Sequence, residues 1–180
     1  QKGPNYSDLS RIVLERAKSA RQAVKIVSNL IKKYGESSYG GNSHMFADSD
    51  EAWIMIQFAG GGGLWAAEKL GPNSIRVSRP GYIEEIPINE KNNPNFLYSD
   101  NLIKFCKKKG WYSKGLFNVN KILGDGKGRW KGVKWIEEEI KKLSKRQEKI
   151  CLQDVMWAIR TPKLTGDTAG YGQIVPLFNP

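Results

Sequence analysis

Apolar residues recur at helical spacing through the start of the chain. Leu9, Ile12, Val13, Ala17 and Ala20 come first, then Val24, Val27, Leu30, Ile31 and Tyr34. Residues three and four apart share one face of a helix, so this period predicts helix across 7–34. Ser19 with Gln22 three residues later has the pattern of a capping box. It divides the stretch into helices at 7–18 and 20–34, and Gly35 stops the second. The small polar residues of 36–42 predict a loop.

From Ser43 the period shortens. Strands are expected at 43–47, 51–59, 64–70, 74–78 and 82–88. The punctuation between them is Asp48-Ser49-Asp50, Gly60 to Gly63, Gly71-Pro72-Asn73 and Pro80-Gly81. The 51–59 stretch carries Trp, Ile, Met and Phe on both alternating faces, as a strand covered on both sides does. The pattern is that of an antiparallel meander. An Asn-rich loop is expected at 89–97. Helical spacing returns with Leu102, Ile103 and Cys106, ending before Gly110. A short helix is expected at 117–123. Val133, Ile136, Ile140 and Leu143 mark an amphipathic helix, with Glu137–Lys141 and Glu138–Lys142 as supporting pairs. A last helix is expected at 151–159, and a loop tail at 161–180 with one strand near 173–177. Helices, then strands, then helices give an α+β class: an antiparallel sheet layer with flanking helices. The 180 residues read as a single domain or as a section of a larger one.

Composition fits this picture. Hydrophobic residues make up 39% and aromatics 11%, enough for a globular core. No apolar run approaches the roughly 20 residues that span a bilayer, so no membrane partner is expected. No signal peptide is visible behind Gln1-Lys2-Gly3-Pro4. Two cysteines, Cys106 and Cys151, are too few for a disulfide framework, which points to a reducing, cytoplasmic compartment. Both fall in apolar helical contexts and are expected to be core residues. The net charge of +11 brings polyanions into consideration. The lysines are scattered, however, and no RNA-binding aromatic signature accompanies them, so the pattern does not favour nucleic acid. A basic module binding nucleic acid or another polyanion is the alternative reading.

No complete catalytic constellation is present. Gly60 to Gly63 lacks the Lys-Ser/Thr of a phosphate loop and reads as a bulge or close backbone approach. His44 is the only histidine, and nothing in the spacing pairs it with either cysteine. One His and two distant Cys do not make a metal site, and no cofactor motif appears, so neither metal nor cofactor is expected. Asp48, Asp50 and Glu51 lack the ligand ladder of a calcium loop.

Several segments in order resemble one family, the secernin-like dipeptidases, cysteine amide hydrolases of the N-terminal-nucleophile class. They are the helical run from Val13 to Ala23 leading to Lys33-Tyr34-Gly35; Ala47-Asp48-Ser49-Asp50-Glu51-Ala52-Trp53 with Trp65-Ala66-Ala67; Asn95 to Asn101 with Lys109-Gly110-Trp111-Tyr112; and Leu152 to Met156 before Gly166-Asp167-Thr168. The resemblance implies an αββα sandwich and hydrolysis of a peptide or other linear amide bond. It implies an N-terminal Cys nucleophile whose own α-amino group is the general base; an amine with a pKa near 8 can take a thiol proton at neutral pH. This chain begins at Gln1, so the nucleophile is expected outside it and the catalytic set within it is empty. The expected partners are a peptide or amide substrate, the remaining segments or subunit of the same enzyme, and further copies of the chain in a homo-oligomer. Supporting roles toward the substrate or oxyanion are expected for Arg129, near where the family carries an arginine before a helix, then for Arg79, Asn42 and His44.

Overall fold

The structure, a computed structural model, describes residues 3–37, 40–60, 62–77, 83–90, 92–124, 126, 131–147 and 149–162. Two helices open it, α1 (Tyr6–Arg16) and α2 (Ala20–Tyr34). Asn5 Oδ1 accepts from the Ser7 and Asp8 amides at 2.8 and 3.0 Å, and the Asp8 carboxylate accepts from the Asn5 amide in return. That reciprocal cap satisfies donors no helical carbonyl can reach. At α2 the expected cap forms with a shift of one residue. Ser19 Oγ accepts from the Gln22 amide at 3.2 Å, while Gln22 Oε1 reaches past Ser19 to the Lys18 amide at 2.6 Å. Gly35, at φ 75°, turns the chain out of α2.

Six strands follow among the described residues: β1 (Asn42–Ala47), β2 (Ala52–Gln57), β3 (Trp65–Leu70), β4 (Glu85–Ile86), β5 (Phe96–Tyr98) and β6 (Phe117–Asn118). The first three and β5 form one antiparallel sheet in the order β1-β2-β3-β5, and β4 pairs with β6. The register sets Asn42 opposite Gln57, His44 opposite Met55 and Phe46 opposite Trp53. Directly opposed residues share a face, so these six lie on one side of the sheet. That side packs under α1 and α2, where Trp53, Met55 and Ala67 meet Leu9, Val13, Val24, Val27 and Ile31. The other side, through Ile56, Ala66, Phe96 and Tyr98, meets Ile83, Ile86, Leu102, Cys106 and Phe117. Leu102 and Cys106 come from α3 (Leu102–Lys108). β2 is thus covered on both faces, as its composition predicts. A smaller cluster joins α5 (Lys131–Gln147) to α6 (Leu152–Arg160) through Ile136, Ile140 and Ala158.

The α+β class with an antiparallel sheet and flanking helices is therefore the fold. Several local expectations change. No strand forms at Ser74 to Val77, where backbone and side chains turn to partners in other elements. The Val77 amide donates to Glu137 Oε1 at 2.9 Å and Arg76 pairs with Glu68 at 2.8 Å. The strand expected at 82–88 is reduced to β4 among described residues. The loop expected at 89–97 ends in β5, and the helix expected at 117–123 begins as β6 before α4 (Val119–Leu123). On α5, Glu137 is buried against Val77 rather than supporting the exposed face, and Lys142 pairs with Glu139 at 2.7 Å. The glycine run makes the β2–β3 turn, closed by Phe58 N–H to Leu64 C=O at 3.0 Å with positive φ at Gly60 and Gly63. Cys106 is buried as expected, but Cys151 is exposed, because it stands at the N-terminal cap of α6 and not on its apolar face. The strand near 173–177 lies outside the described residues.

Candidate functional site

Where β1 begins and β2 ends, the sheet parts from the layer beneath it and leaves a cleft of about 530 Å³. Its walls are apolar, with Ile56 and Leu64 from the sheet side and Phe105 and Trp111 from α3 and the turn after it. Asn42, Ser43, Gln57 and Asn120 line one end, with the Asn42 and Gln57 side chains on the helix-covered face of the sheet. A mainly apolar concavity with a few polar groups is the usual form of a small-molecule site. A second hollow of about 540 Å³ lies between α2 and the loop before α3. Its charged lining residues, Lys32 and Asp100, are exposed and already paired with each other at 3.2 Å. The first cleft, between two layers, is the better candidate.

Asn42 joins the cleft to a buried polar group beneath the helices. Its amide Nδ2 donates to Glu36 Oε1 at 3.3 Å. Beside them stand His44 and Gln57, 6% and 1% exposed. Among the described residues, His44 Nε2 and both polar atoms of the Gln57 amide find no hydrogen-bond partner. An orphaned buried amide costs about 1–3 kcal/mol. The His44 ring stacks on Phe46 with centroids 5.7 Å apart. Burial pushes its pKa below the ordinary 6.5. The nearby Gln57 amide, which closes no hydrogen bond to Nε2, and the Glu36 carboxylate push back more weakly.

This has a measurable consequence. The native state holds His44 neutral to lower pH than the unfolded chain does. Below pH 6.5 the unfolded chain therefore binds the extra proton, and stability falls as pH falls. His44 is the only imidazole, so the upper part of the window below pH 6.5, well above the ordinary Glu value of 4.5, reports on it. The urea midpoint should drop on acidification through that window, and His44→Phe should flatten the drop. An equal slope in the variant would remove His44 as its source.

Neither cysteine lines the cleft. Cys106 is fully buried and burial pushes its thiol pKa up, which keeps it protonated and a poor nucleophile. Of the four residues expected to support a site, the structure brings Asn42 and His44 onto one face of β1, with Asn42 alone lining the cleft. Arg79 and Arg129 lie outside the described residues. Reading the sequence alone passes over Glu36, Gln57 and Asn120, and gives Lys109 no site role. Gln57 carries a legible signal, a lone amide at the end of an apolar strand. The others come together only through the fold.

The sequence model of peptidase family C69 matches residues 1–130. The chain belongs to peptidase family C69. A probable dipeptidase of Salmonella dublin is 31% identical over 115 residues, 62% of this chain and 25% of that protein. A probable dipeptidase of Latilactobacillus sakei is 24% identical over 170 residues, 83% of this chain and 35% of that protein. Probable dipeptidase B of Lactococcus lactis is 36% identical over 78 residues, 43% of this chain and 16% of that protein. This C69 chain thus spans about a third or less of the length of these relatives. The cleft's lining up to Gly124 falls within the family match. Among the described residues no helix is long and apolar enough to cross a membrane.

Proposed function

We propose that this chain is a section or subunit of a dipeptidase-type hydrolase that cleaves peptide or other linear amide bonds. The observation that carries the reading is the C69 match over the stretch that builds the interlayer cleft. The sheet, with helices on one face and a second small ladder on the other, is in this reading part of an αββα sandwich. The nucleophile is a cysteine at a free N-terminus outside these residues, because Cys106 is buried with a raised pKa and Cys151 stands on α6 rather than in the cleft lining. Its thiolate would attack the carbonyl carbon as its α-amino group takes the thiol proton. The developing oxyanion then needs donors; Ser43 and Asn120 line the cleft with groups able to donate, and Asn42, whose amide donates to Glu36, remains a candidate beside them. Arg129 and Arg79 remain candidates for holding substrate charge. The reading places the enzyme in the cytoplasm, with the remaining segments, and further copies of the chain, as partners.

The test is dipeptide hydrolysis. The purified chain alone is expected to show no turnover, and turnover should appear on co-expression with the segments of the Latilactobacillus relative that lie outside the match. Hydrolysis by the chain alone that thiol alkylation abolishes would overturn the external nucleophile. No turnover in the complemented enzyme would overturn the peptidase reading.

A further inference from the structure

The interlayer cleft has a charge pattern that the peptidase reading does not by itself require. Ile56, Leu64, Phe105 and Trp111 make its walls, and among the described residues Lys109 is the one charged side chain that lines it. The geometry that puts Lys109 there is local. Lys109 N–H bonds back to the Phe105 carbonyl at 3.0 Å, and Gly110 then turns the chain at φ 71°. That conformation, open to glycine, brings Trp111 to the same rim. Phe105 meets Trp111 edge-on with centroids 5.7 Å apart, and Lys109 Nζ stands 5.8 Å from the Phe105 centroid. A cation therefore borders an aromatic wall.

Several other described cations have carboxylate partners. Lys69, Arg76 and Lys142 each have a carboxylate within 2.8 Å. No described carboxylate pairs with Lys109, and none lines the cleft. An apolar chamber with one unpaired cation at its mouth complements a ligand with an apolar body and one anionic end. We infer that Lys109 holds the terminal carboxylate of a short peptide whose last side chain is bulky and apolar and fills the space between Phe105, Trp111 and Ile56. This rests on the peptidase reading and adds a determinant of substrate choice to it. Anchoring the carboxylate also fixes how far the scissile bond can lie from the peptide's end, so one side chain would select both terminal chemistry and length. Lysine acts here as a point charge on a flexible stem, so a neutral replacement removes the attraction while the apolar walls stay.

The experiment is calorimetric titration of the chain with leucyl-phenylalanine, its C-terminal amide, and leucyl-lysine, using wild type, Lys109→Ala and Lys109→Arg. Lys109 is exposed, so the variants should fold, and equal thermal midpoints check this. The acid should bind about tenfold tighter than the amide, the scale of one partly screened charge-assisted contact. Lys109→Ala should weaken the acid about tenfold and leave the amide unchanged, with Lys109→Arg keeping most of the preference. Added salt should narrow the gap between acid and amide, and leucyl-lysine should bind more weakly than leucyl-phenylalanine. Equal binding of acid and amide, or an equal loss of both in Lys109→Ala, would overturn the role of Lys109 and leave the peptidase reading standing. Equal binding of the two free dipeptides would overturn the apolar preference. Absence of binding by any of these peptides overturns the inference as a whole. The peptidase reading is judged separately, by turnover in the complemented enzyme.

Discussion

Replacing Phe117 with alanine should lower the free energy of unfolding by about 3–5 kcal/mol. Phe117 is the largest fully buried side chain in the layer beneath the sheet's second face. Three things converge on it. Its backbone pairs with Ile86 to form the two-stranded ladder. Its ring receives Tyr112 edge-on with centroids 5.0 Å apart. The Val119 amide, two residues on, donates to the Glu84 carbonyl at 2.6 Å. The ring is therefore the packing element for a ladder only two residues long on each strand, which has little hydrogen bonding of its own to rely on. Truncation removes the transfer energy of the ring and leaves a void that a sheet on one side and α3 on the other cannot close. Phe117→Leu should cost only about 1 kcal/mol, because it keeps most of the apolar volume. Urea unfolding followed by tryptophan fluorescence distinguishes the two. A loss below about 1 kcal/mol for the alanine variant would mean that this layer is not packed against the sheet as described.

The same substitution reaches the candidate site. Tyr112 adjoins Trp111, and its hydroxyl donates to the Gly115 carbonyl at 2.7 Å, so the ring that Phe117 supports also closes the turn after α3. Peptide binding at the Lys109 rim should weaken in Phe117→Ala even where the variant is still mostly folded. Peptide binding that persists unchanged would show the rim to be set by α3 alone.

How legible this was in the sequence varies by element for physical reasons. The helix pair was readable because its signal is local. One apolar stripe, the Ser19 cap and the Gly35 stop mark the helices locally, although packing on the sheet stabilises them. β2 was readable because it is covered on both faces and so carries an unbroken apolar run. The strand expected at 74–78 was not, because Arg76 and Val77 spend their polar groups on Glu68 and Glu137, at partners a period-two pattern cannot name. Phe96 to Tyr98 was hidden for the opposite reason. Three residues are too few to show a period, and their strand exists only because β3 offers an edge. The site divides in the same way. Asn42 and His44 could be picked out at a loop-to-strand junction. Their neighbours Glu36 and Gln57 arrive by strand register and by the turn after α2. Lys109 was visible within the Lys109-Gly110-Trp111-Tyr112 segment, but its place at an apolar wall depends on the backbone turn at Gly110. The expectation that Cys151 is a core residue fails because an apolar context does not reveal which residue becomes the cap.

Asp48→Ala is expected to have the second-largest effect, a loss of about 2 kcal/mol, and its pH dependence identifies the cause. Asp48 sits in the β1–β2 turn and spends both carboxylate oxygens on backbone amides. Oδ1 accepts from Asp50 and Glu51, each at 2.8 Å, which shapes the turn. Oδ2 accepts from the Ala20 amide at 2.6 Å, one of the orphaned donors at the start of α2. One side chain thus ties the helix layer to the sheet, and its negative charge stands where the helix dipole favours an anion. Alanine leaves the buried Ala20 without that acceptor and loosens the turn. Solvent around the carboxylate holds the cost to that of a strong cap rather than that of a buried ion. Asp48→Asn keeps one acceptor oxygen and should lose about half as much. The hydrogen bonds from Ala20, Asp50 and Glu51 hold the Asp48 carboxyl below its ordinary pKa of 3.8. The native state therefore binds fewer protons than the unfolded chain in that range. The stabilisation is fully present above pH 3.8 and is lost as pH falls through the depressed native value. The gap in unfolding free energy between wild type and Asp48→Ala should be constant above this range and shrink below it. The His44 contribution, which begins at pH 6.5, is shared by both proteins and cancels in the difference. A gap that stayed constant into strong acid would mean that the carboxylate's charge contributes nothing and that Asp48 acts by shape alone.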